Sequence, residues 1–498
     1  MRSKLLTTLS AALLLVGCCT ESTPSKEAKR YEAEWSSLAQ HQTPQWLLDA
    51  KFGIYCHWGP QTYNRSKPGE KLTILDGFKG WTGENFDAAE WATLFQRWGA
   101  QFAGPVAQHC SGCVNWDSEI TDWNSTNHGP KRDIVGELSP EIKKRGMKFM
   151  ASFHSISFAG VWGQISRKDR TYVEPIFAWD SLNREDKRWM EGWIDRIEEA
   201  TAKYDIDLAW FDNSFGQTIG GDLRGHINQG KYTPDGTRRT RIGGLCEEYQ
   251  QKMIANYYNL GLDSGRDVEI VYKSYDVPRN VGMRNVENGN LDGGQYDPWM
   301  TDVSILSLPE KGWDEIWFYG ENNVILSSNF IIDMLIDVVS KNGRMLLNVP
   351  PCVDGTFAPQ IIERMDEIGE WLKINGEAIY AANPWCLYGE GPAYIKHPGH
   401  HGLTKAWAKE NPVFTDQDIR YTTKGADIYA FVLDKPQSEE ILFKSLGSYN
   451  KLYPGEVKGV TLLGSDTKIE WRHEEDALVI ITPDNLPQSA AYCFKIHR

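Results

Sequence analysis

The sequence predicts an α/β protein, a (β/α)8 TIM-like barrel followed by a C-terminal antiparallel β-sandwich. Three observations support this prediction. Strand-like runs alternate with helix-like runs from about residue 50 to residue 385. No glycine-rich fingerprint follows an early strand, as it would in a doubly wound dinucleotide-binding sheet. After residue 385 the helical spacing stops, and short β-rich runs follow.

The predicted barrel domain covers residues 46–385. Its strand-like runs are Lys51–His57, Phe102–His109, Lys148–His154, Leu208–Asn213, Val268–Ser274 and Arg344–Val349. Its helix-like runs are Ala88–Trp98, Ile134–Lys144, Arg184–Tyr204, Leu245–Asn259 and Ile331–Ser340. Two more strands are placed loosely at Asn285–Glu287 and Ile316–Tyr319. Strand followed by helix, repeated over this length, favours a closed parallel barrel over an open sheet.

The predicted sandwich domain covers residues 386–498. Its runs have strand length and are separated by Gly, Asp, Asn and Pro, as in antiparallel sheets joined by turns. They are Asp427–Leu433, Glu440–Leu446, Val457–Leu463, Ile469–Trp471, Ala477–Thr482 and Ala490–Ile496.

Residues 1–17 have the pattern of an export signal. Met1–Lys4 carries two positive charges, an apolar stretch ends at Leu13–Val16, and Gly17 precedes Cys18. The apolar stretch is shorter than the roughly 20 residues that cross a bilayer. The segment resembles a bacterial lipoprotein signal, which implies cleavage before Cys18, lipidation of its thiol, and a tether and lead-in over residues 18–45. The alternative is an ordinary secretory signal with a chance cysteine.

We therefore expect an exported protein in the periplasm or at the outer membrane, attached to the membrane only through its lipid. The formal net charge is -14. Removal of the two signal cations, Arg2 and Lys4, makes it -16. This charge argues against a nucleic-acid partner. Cys110–Cys113 is a lone CxxC without a second pair, so no zinc site is predicted, and no cofactor is implied.

Four predicted strands end in a chemically functional side chain. His57, His109 and His154 follow the first three strands, and Asp212 follows the fourth. The carboxyl ends of barrel strands meet at one mouth, where catalytic residues lie, so we expect these side chains to converge. Asp212 is the predicted catalytic nucleophile, and the alternative is an aspartate that only caps the next turn. Three histidines and an aspartate are also a metal-ligand set, but they lack the local spacing of metal motifs.

Six motifs in this order resemble those of the α-L-fucosidases of glycoside hydrolase family 29. They are Lys51–Pro60, Trp123–Ser125 with Gly129–Val135, Trp210–Asp212, Asp337–Gly343 with Leu346–Val349, Asp354–Thr356, and Gly369–Leu372 with Asn375–Tyr380. Each motif is modest alone, and the ordered set is specific. The resemblance implies a retaining exo-hydrolase that removes terminal α-L-fucose from fucosylated oligosaccharides or polysaccharides, with a barrel followed by a β-sandwich.

The resemblance also implies roles for single residues. It maps the nucleophile onto Asp212 and fucose contacts onto His57, His109 and Trp210, with Trp58 and His154 nearby. Cys110 stands where most relatives have a second, sugar-contacting histidine. Because flat aromatic faces also pack against sugar rings, three more tryptophans are candidate contacts. They are Trp116, Trp299 and Trp317.

Retention requires a second carboxyl group, about 5 to 5.5 Å from the nucleophile, that protonates the leaving oxygen and then activates water. Where many family members place that carboxylate beside a tryptophan, this chain has Met300. Glu287 matches the motif of another subgroup, with Asn288 in place of its arginine, and its pKa has to be raised by burial or by a neighbouring carboxylate. The candidates in order of preference are Glu287, Asp302 and Glu315.

Three positions depart from the family pattern, namely Cys110, Met300 and Asn288. They keep two alternatives open. One is a non-catalytic glycan-binding lipoprotein on the same fold. The other is a related α-glycosidase of different specificity, for example for α-galactosides.

Overall fold

Eight parallel strands close into a barrel in the computed structural model of this chain. The structure describes residues 30–109, 112–154, 187–212, 247–273, 277–307, 316–320, 322–394, 398–399, 414–452 and 455–498. The barrel strands are β1 Phe52–Cys56, β2 Phe102–Gln108, β3 Lys148–Phe153, β4 Leu208–Phe211, β5 Glu269–Tyr272, β6 Met283–Asn285, β7 Trp299–Ser304 and β10 Gly343–Asn348. Around the barrel their order is β1-β10-β7-β6-β5-β4-β3-β2, which confirms the predicted barrel.

The barrel interior is filled by side chains at alternating strand positions, because successive side chains of a strand point to opposite faces. One apolar cluster collects interior residues from around the barrel, among them Tyr55, Met150, Trp210, Val271 and Met300. The residues between them pack outward against the helices. Phe211, for example, contacts Trp193 at a ring-centroid distance of 6.1 Å.

Helices cover the outside of the barrel. Helix α5 shows why they form where they do, since Asp87 caps it by accepting hydrogen bonds from the backbone N–H groups of Ala89 and Glu90. Its buried face carries Trp91, Leu94 and Phe95 at helical spacing. The helices are α1 Trp35–Leu38, α2 Gln45–Ala50, α3 Pro60–Arg65, α4 Ile74–Gly80, α5 Ala88–Arg97, α6 Ile134–Lys144, α7 Lys187–Tyr204, α8 Glu247–Ser264, α9 Ser328–Ser340 and α10 Pro359–Asn375.

One barrel strand was predicted in the wrong place. Ile316–Tyr319 is a turn and bend, and the seventh barrel strand is β7, Trp299–Ser304. This strand was not predicted because two of its residues, Asp302 and Ser304, are polar although they are buried, and they interrupt the apolar pattern. A small ribbon of β8 Leu306–Ser307 and β9 Val324–Ile325 follows it.

The C-terminal strands form two antiparallel sheets, as predicted. The five-stranded sheet has the order β11-β12-β13-β18-β15, and the three-stranded sheet has the order β14-β17-β16. One apolar cluster joins the two sheets, with Tyr421 and Phe494 from the first and Phe443 and Ile480 from the second. The strands are β11 Asn383–Glu390, β12 Ile419–Lys424, β13 Asp427–Val432, β14 Glu440–Phe443, β15 Gly459–Leu462, β16 Trp471–His473, β17 Leu478–Ile481 and β18 Tyr492–His497.

A buried ionic cluster joins the barrel to the sandwich. Asp337 of α9 accepts hydrogen bonds from Lys341 Nζ at 2.8 Å, Arg420 Nε at 2.5 Å and Asn290 Nδ2 at 2.7 Å. Arg420 belongs to β12 of the sandwich, and its side chain is 3% exposed. Burial opposes the ionisation of Asp337, but the charges of Lys341 and Arg420 hold the pKa of its carboxyl group at about 2.

Asp337→Asn is expected to lower the free energy of unfolding by roughly 3 to 5 kcal/mol, because it leaves two buried cations without a counter-charge. Urea unfolding at neutral pH measures this change. Glu440→Gln is a matched control, since it removes one partner of an exposed ion pair with Arg472 and is expected to have a much smaller effect. Equal effects of the two substitutions would show that the buried cluster does not stabilise the junction.

In the described part of the chain, no helix combines the length and apolar character needed to cross a membrane. Five described cysteines, Cys56, Cys113, Cys352, Cys386 and Cys493, are free thiols.

Candidate active site

Six barrel strands deliver polar side chains to one end of the barrel. Since side chains alternate along a strand, a residue two positions after an interior side chain also faces inward. Interior Trp210 is thus followed by Asp212, and interior Val271 is followed by Lys273. The six residues that follow β1 to β6 in order are His57, His109, His154, Asp212, Lys273 and Glu287.

Asp212 lies immediately after β4, held by a hydrogen bond from its backbone N–H to the carbonyl of Phe153 at 3.0 Å. Its Oδ1 is 2.6 Å from Lys273 Nζ, and its Oδ2 is 3.4 Å from His154 Nε2. The side chain is 15% exposed. The carboxylate is therefore oriented by two neighbours and still reaches the mouth of the barrel.

Lys273 connects three carboxyl groups at the mouth. Its Nζ is 2.6 Å from Asp212 Oδ1, 3.2 Å from Glu287 Oε2 and 4.0 Å from Asp302 Oδ2, and it lies 4.6 Å from the centre of the Trp210 ring. The side chain is only 2% exposed. Burial alone would lower the pKa of Lys273, but the three neighbouring carboxyl groups outweigh burial and raise it. Lys273 is therefore a buried cation.

Glu287 follows β6, with its Oε2 3.2 Å from Lys273 Nζ. Burial raises the pKa of Glu287 to about 7, against the lowering effect of Lys273 and with a further rise from Asp302 and Asp212. The same group can thus hold a proton or release it near neutral pH, which is the requirement for general acid and base catalysis.

Asp302 lies on β7 and is 1% exposed. Its carboxyl group accepts hydrogen bonds from Tyr55 Oη at 3.1 Å and from Asn285 Nδ2. Burial raises its pKa, opposed by Lys273 and Asn285. A carboxyl group held on both oxygens inside the barrel is less accessible to a substrate than Glu287.

The three histidines form one cluster. Their ring centroids are 5.2 Å apart for His57 and His109, 5.8 Å for His57 and His154, and 4.5 Å for His109 and His154. Burial lowers the pKa of all three, that of His154 to about 4, so the rings are uncharged at neutral pH.

Neighbours orient these rings. His57 Nδ1 is 2.9 Å from Asn348 Oδ1, an oxygen that can only accept, so Nδ1 donates and Nε2 is left as an acceptor. Asn348 is itself fixed by donating to Ser304 Oγ and to the carbonyl of Trp317. His109 Nδ1 is 3.2 Å from Gln61 Nε2. The cluster thus presents defined ring nitrogens to a ligand.

A divalent metal is the alternative occupant of this cluster, because potential ligand atoms of the three rings lie within 4.8 Å of one another. Lys273 argues against it, since its ammonium group already lies on the adjacent Asp212 carboxylate and would repel a second cation. Uncharged imidazoles suit the hydroxyl groups of a neutral ligand, and we assign no metal to them.

Aromatic side chains wall the cluster. Trp317 lies 5.0 Å from the His57 ring, and Phe318 lies 5.4 Å from His57 and 5.0 Å from His109. Trp210 is 5.8 Å from His154, and its buried Nε1 has no hydrogen-bond partner among the described residues. Flat apolar faces and convergent polar groups thus lie together at this end of the barrel, a combination that is typical of a sugar-binding site.

The family model described as "Alpha-L-fucosidase" matches residues 18–71 and 62–377, and the model described as "Alpha-L-fucosidase C-terminal domain" matches residues 411–497. This chain belongs to the alpha-L-fucosidase family. It is 25% identical to human tissue alpha-L-fucosidase over 514 residues, which covers 96% of this chain and 93% of the human protein. It is 24% identical to alpha-L-fucosidase of Branchiostoma floridae, covering 89% of each chain.

Solved structures share the fold of this family member. Thermotoga maritima alpha-fucosidase in complex with fucose superposes with a TM-score of 0.67 at 22% identity, covering 94% of this chain and all of the other. Alpha-L-fucosidase isoenzyme 1 from Paenibacillus thiaminolyticus gives a TM-score of 0.66 at 19% identity, covering 92% and 99%. The likeness extends over the barrel and the sandwich.

Three tryptophans predicted to contact sugar lie elsewhere. Trp58 packs against Trp81, Phe86 and Trp91 and donates to the carbonyl of Cys352. These contacts place it in the aromatic core, because the side chain after His57 points to the opposite face. The structure therefore does not bring the Trp58 ring into the histidine cluster.

Trp116 and Trp299 also pack away from the histidine cluster. Trp116 is completely buried and donates to Glu199 Oε2 at 2.8 Å. Trp299 is the first residue of β7, at the end of the strand away from the mouth, and packs with Val286 and Val338. Two other candidates, Cys110 and Glu315, lie outside the described residues.

Sequence reasoning missed Lys273, Tyr55, Asn348 and Phe318. A signal for Lys273 was present, because the run Val268–Ser274 was predicted as a strand and the lysine lies near its carboxyl end. The same rule that selected Asp212 would have selected it. Tyr55 and Asn348 lie within strands and acquire their roles only through cross-barrel contacts.

Proposed function

We propose that this protein is a retaining exo-α-L-fucosidase, in which Asp212 is the nucleophile and Glu287 is the acid/base. The observation that carries the proposal is the shared contact of both carboxyl groups with Lys273 Nζ, at 2.6 and 3.2 Å. Their two contacting oxygens cannot be farther apart than these distances added together. That bound applies to the two contacting oxygens, and it is compatible with the roughly 5 to 5.5 Å between the carboxyl groups of retaining enzymes.

The proposed reaction has two steps. Asp212 attacks the anomeric carbon and forms an ester while Glu287 protonates the leaving oxygen. Glu287 then takes a proton from water, which attacks the same carbon and releases the sugar. Each step inverts the anomeric carbon, so the product retains the configuration of the substrate.

The proposed sugar site is formed by the histidine cluster and the aromatic side chains beside it. His57 Nε2 offers an acceptor and Trp210 Nε1 offers a buried donor to sugar hydroxyl groups, while Trp317 and Phe318 provide apolar surface. The family acts on fucosylated substrates, and the uncharged polar lining fits a neutral deoxy-sugar with one apolar edge.

Incubation of purified protein with an aryl α-L-fucoside and with fucosylated glycans tests the proposal. We expect release of fucose, and proton NMR taken early in the reaction should show the α-anomer first. Initial formation of the β-anomer would contradict retention. Absence of fucose release from every substrate would contradict the activity, and faster hydrolysis of an aryl α-galactoside would favour the related α-glycosidase instead.

The pH profile is a second expectation. Glu287 must carry a proton in the first step, and its pKa of about 7 means that the proton is present below pH 7 and lost above it. We therefore expect kcat/KM for a substrate with a poor leaving group to fall as the pH rises through about 7. If kcat/KM instead falls as the pH rises from about 4 to 5, the proton donor is a carboxyl group with an ordinary pKa.

The non-catalytic alternative was raised by the departures at Cys110, Met300 and Asn288, and it would be favoured if no carboxyl group lay within reach of Asp212. Because Glu287 shares the ammonium group of Lys273 with Asp212, the structure gives that reading no support. The departures at Met300 and Asn288 are compatible with catalysis, since both side chains are buried and neither replaces Glu287.

We further propose that the protein is an exported lipoprotein of the periplasm or outer membrane, with a signal over residues 1–17 and a lipid on Cys18. The pattern of Met1–Lys4, the short apolar stretch and Gly17 before Cys18 supports this proposal. Cys18→Ala is expected to move the protein from the membrane fraction to the soluble fraction. An unchanged distribution would contradict lipid anchoring.

A further inference from the structure

The ammonium group of Lys273 contacts two carboxyl groups, those of Asp212 and Glu287, and the proposed reaction changes which of the two is ionised. Its Nζ lies 2.6 Å from Asp212 and 3.2 Å from Glu287, and its 2% exposure excludes the bulk of solvent from these contacts. Attraction between such charges is much stronger than at a solvated surface. The position of this charge therefore affects the protonation of both carboxyl groups.

One ammonium group cannot fully compensate all the nearby carboxyl groups when they are ionised. The shorter contact favours the carboxylate form of Asp212, and Glu287 then retains its proton because a second negative charge beside Asp212 and Asp302 is unfavourable. This distribution is what the first step needs, namely an ionised nucleophile and a protonated acid.

Formation of the ester reverses which of the two carboxyl groups carries the negative charge. An Asp212 oxygen forms a bond to the anomeric carbon, the glycosidic carbon–oxygen bond breaks, and its electron pair stays on the leaving oxygen, which takes the proton of Glu287. Asp212 has now lost its negative charge and Glu287 has gained one. Lys273 keeps its charge, and the Glu287 carboxylate at 3.2 Å is now its nearest negative charge, closer than Asp302 at 4.0 Å.

We propose that Lys273 is a positioning residue that acts as a shared counter-ion, stabilising the Asp212 carboxylate in the free enzyme and the Glu287 carboxylate in the glycosyl-enzyme. This inference rests on the proposed function. In the second step Glu287 accepts a proton from the attacking water, the ester bond breaks, and the electron pair returns to Asp212. Lys273 then again stabilises the Asp212 carboxylate.

The ammonium group of Lys273 contacts both carboxyl groups, and the three nearby histidines are uncharged at neutral pH. Lys273 also lies on the face of Trp210, which is favourable for an ammonium group. The titratable groups around the pair, beyond Lys273 itself, are Tyr55 from β1, Asp302 from β7, and His57, His109 and His154 at the ends of the first three strands.

Lys273→Met, with Lys273→Arg as the charge-preserving control, tests the inference. Loss of the positive charge makes the Glu287 carboxylate less favourable, so the alkaline limb of kcat/KM should move up by about 1 pH unit or more in Lys273→Met. Lys273→Arg should keep the limb near its wild-type position. A purely structural role would lower activity at every pH without moving the limb, and that result would overturn the inference.

The second step gives an independent readout. The ester is accumulated with a 2-deoxy-2-fluoro fucosyl substrate, and its turnover is compared in water and in azide. Loss of the charge slows the departure of Asp212 with either nucleophile, but only water needs a base, so in Lys273→Met turnover by water should fall at least about 10-fold more than turnover by azide. An equal loss with both nucleophiles would contradict the inference.

A measurement on the wild-type enzyme covers the case in which Lys273→Met fails to fold. Hydrolysis of the trapped ester should become faster as the pH rises through the pKa of Glu287 in the glycosyl-enzyme. This pKa should lie at least about 1 pH unit below the pKa at which kcat/KM of the free enzyme falls. Equal pKa values in the two measurements would overturn the inference. If the wild-type protein releases no fucose, the proposed function fails, whereas an active enzyme with unmoved limbs contradicts only the role of Lys273.

Discussion

Asp212→Gly is expected to lower kcat/KM for an aryl α-L-fucoside by at least about 10^4-fold, the largest effect of any single substitution in this protein. The substitution removes the group that forms the ester in the proposed reaction. Lys273 and His154 remain in place, so the pocket should still bind the sugar. Steady-state kinetics of the purified variant measures the loss.

Azide should restore part of this activity, because the space left by the carboxylate admits a small anion beside Lys273. The expected product is β-L-fucosyl azide, since one displacement on an α-fucoside inverts the configuration. Its isolation identifies the nucleophile and supports the stereochemistry together. A variant that keeps more than about a tenth of wild-type activity, or an azide adduct of α configuration, would contradict the assignment of Asp212.

Glu287→Gln has the second largest expected effect, and its size depends on the leaving group. The amide cannot donate the proton, so kcat/KM for a fucosyl disaccharide should fall by about 10^2- to 10^4-fold. An activated aryl fucoside needs little protonation and should lose much less in the first step. The fall in activity above about pH 7 should disappear in this variant, because Glu287 is the group whose pKa lies there.

Asp302→Asn is the matched control, since it removes the second candidate for the acid/base and keeps the shape of its side chain. Asp302 is held by Tyr55 and Asn285 inside the barrel, so we expect its loss to move the pH profile and to lower kcat/KM by similar factors for the disaccharide and for the activated aryl fucoside. If Asp302→Asn shows the leaving-group dependence and Glu287→Gln does not, Asp302 is the acid/base.

Much of the fold could be predicted from the sequence because the local patterns agree with it. Helix Ile134–Lys144 has its predicted bounds, and the first five strands begin within a residue of their predicted starts. These segments are buried runs bounded by turn residues, so their periodicity reports the structure directly. Strand β7 was missed because its buried Asp302 and Ser304 read as surface residues until the neighbouring strands supply their partners.

Part of the candidate site could be predicted for the same reason. The histidines and Asp212 were found because a barrel brings the carboxyl ends of its strands to one mouth, and the structure does bring them together. The tryptophans were less predictable, because an aromatic ring fills a core as readily as it packs against a sugar. Trp317 lies at the site, whereas Trp58 lies in the core.

The sequence alone determined the fold class, the family resemblance and the strand that carries the proposed nucleophile, because these depend on the order and local pattern of residues along the chain. Only the tertiary structure decided that Glu287 and Asp212 share the ammonium group of Lys273, which is 61 residues from Asp212 in the chain. Burial and the distance between charges set the pKa of Glu287, and both exist only after distant strands have closed into a barrel.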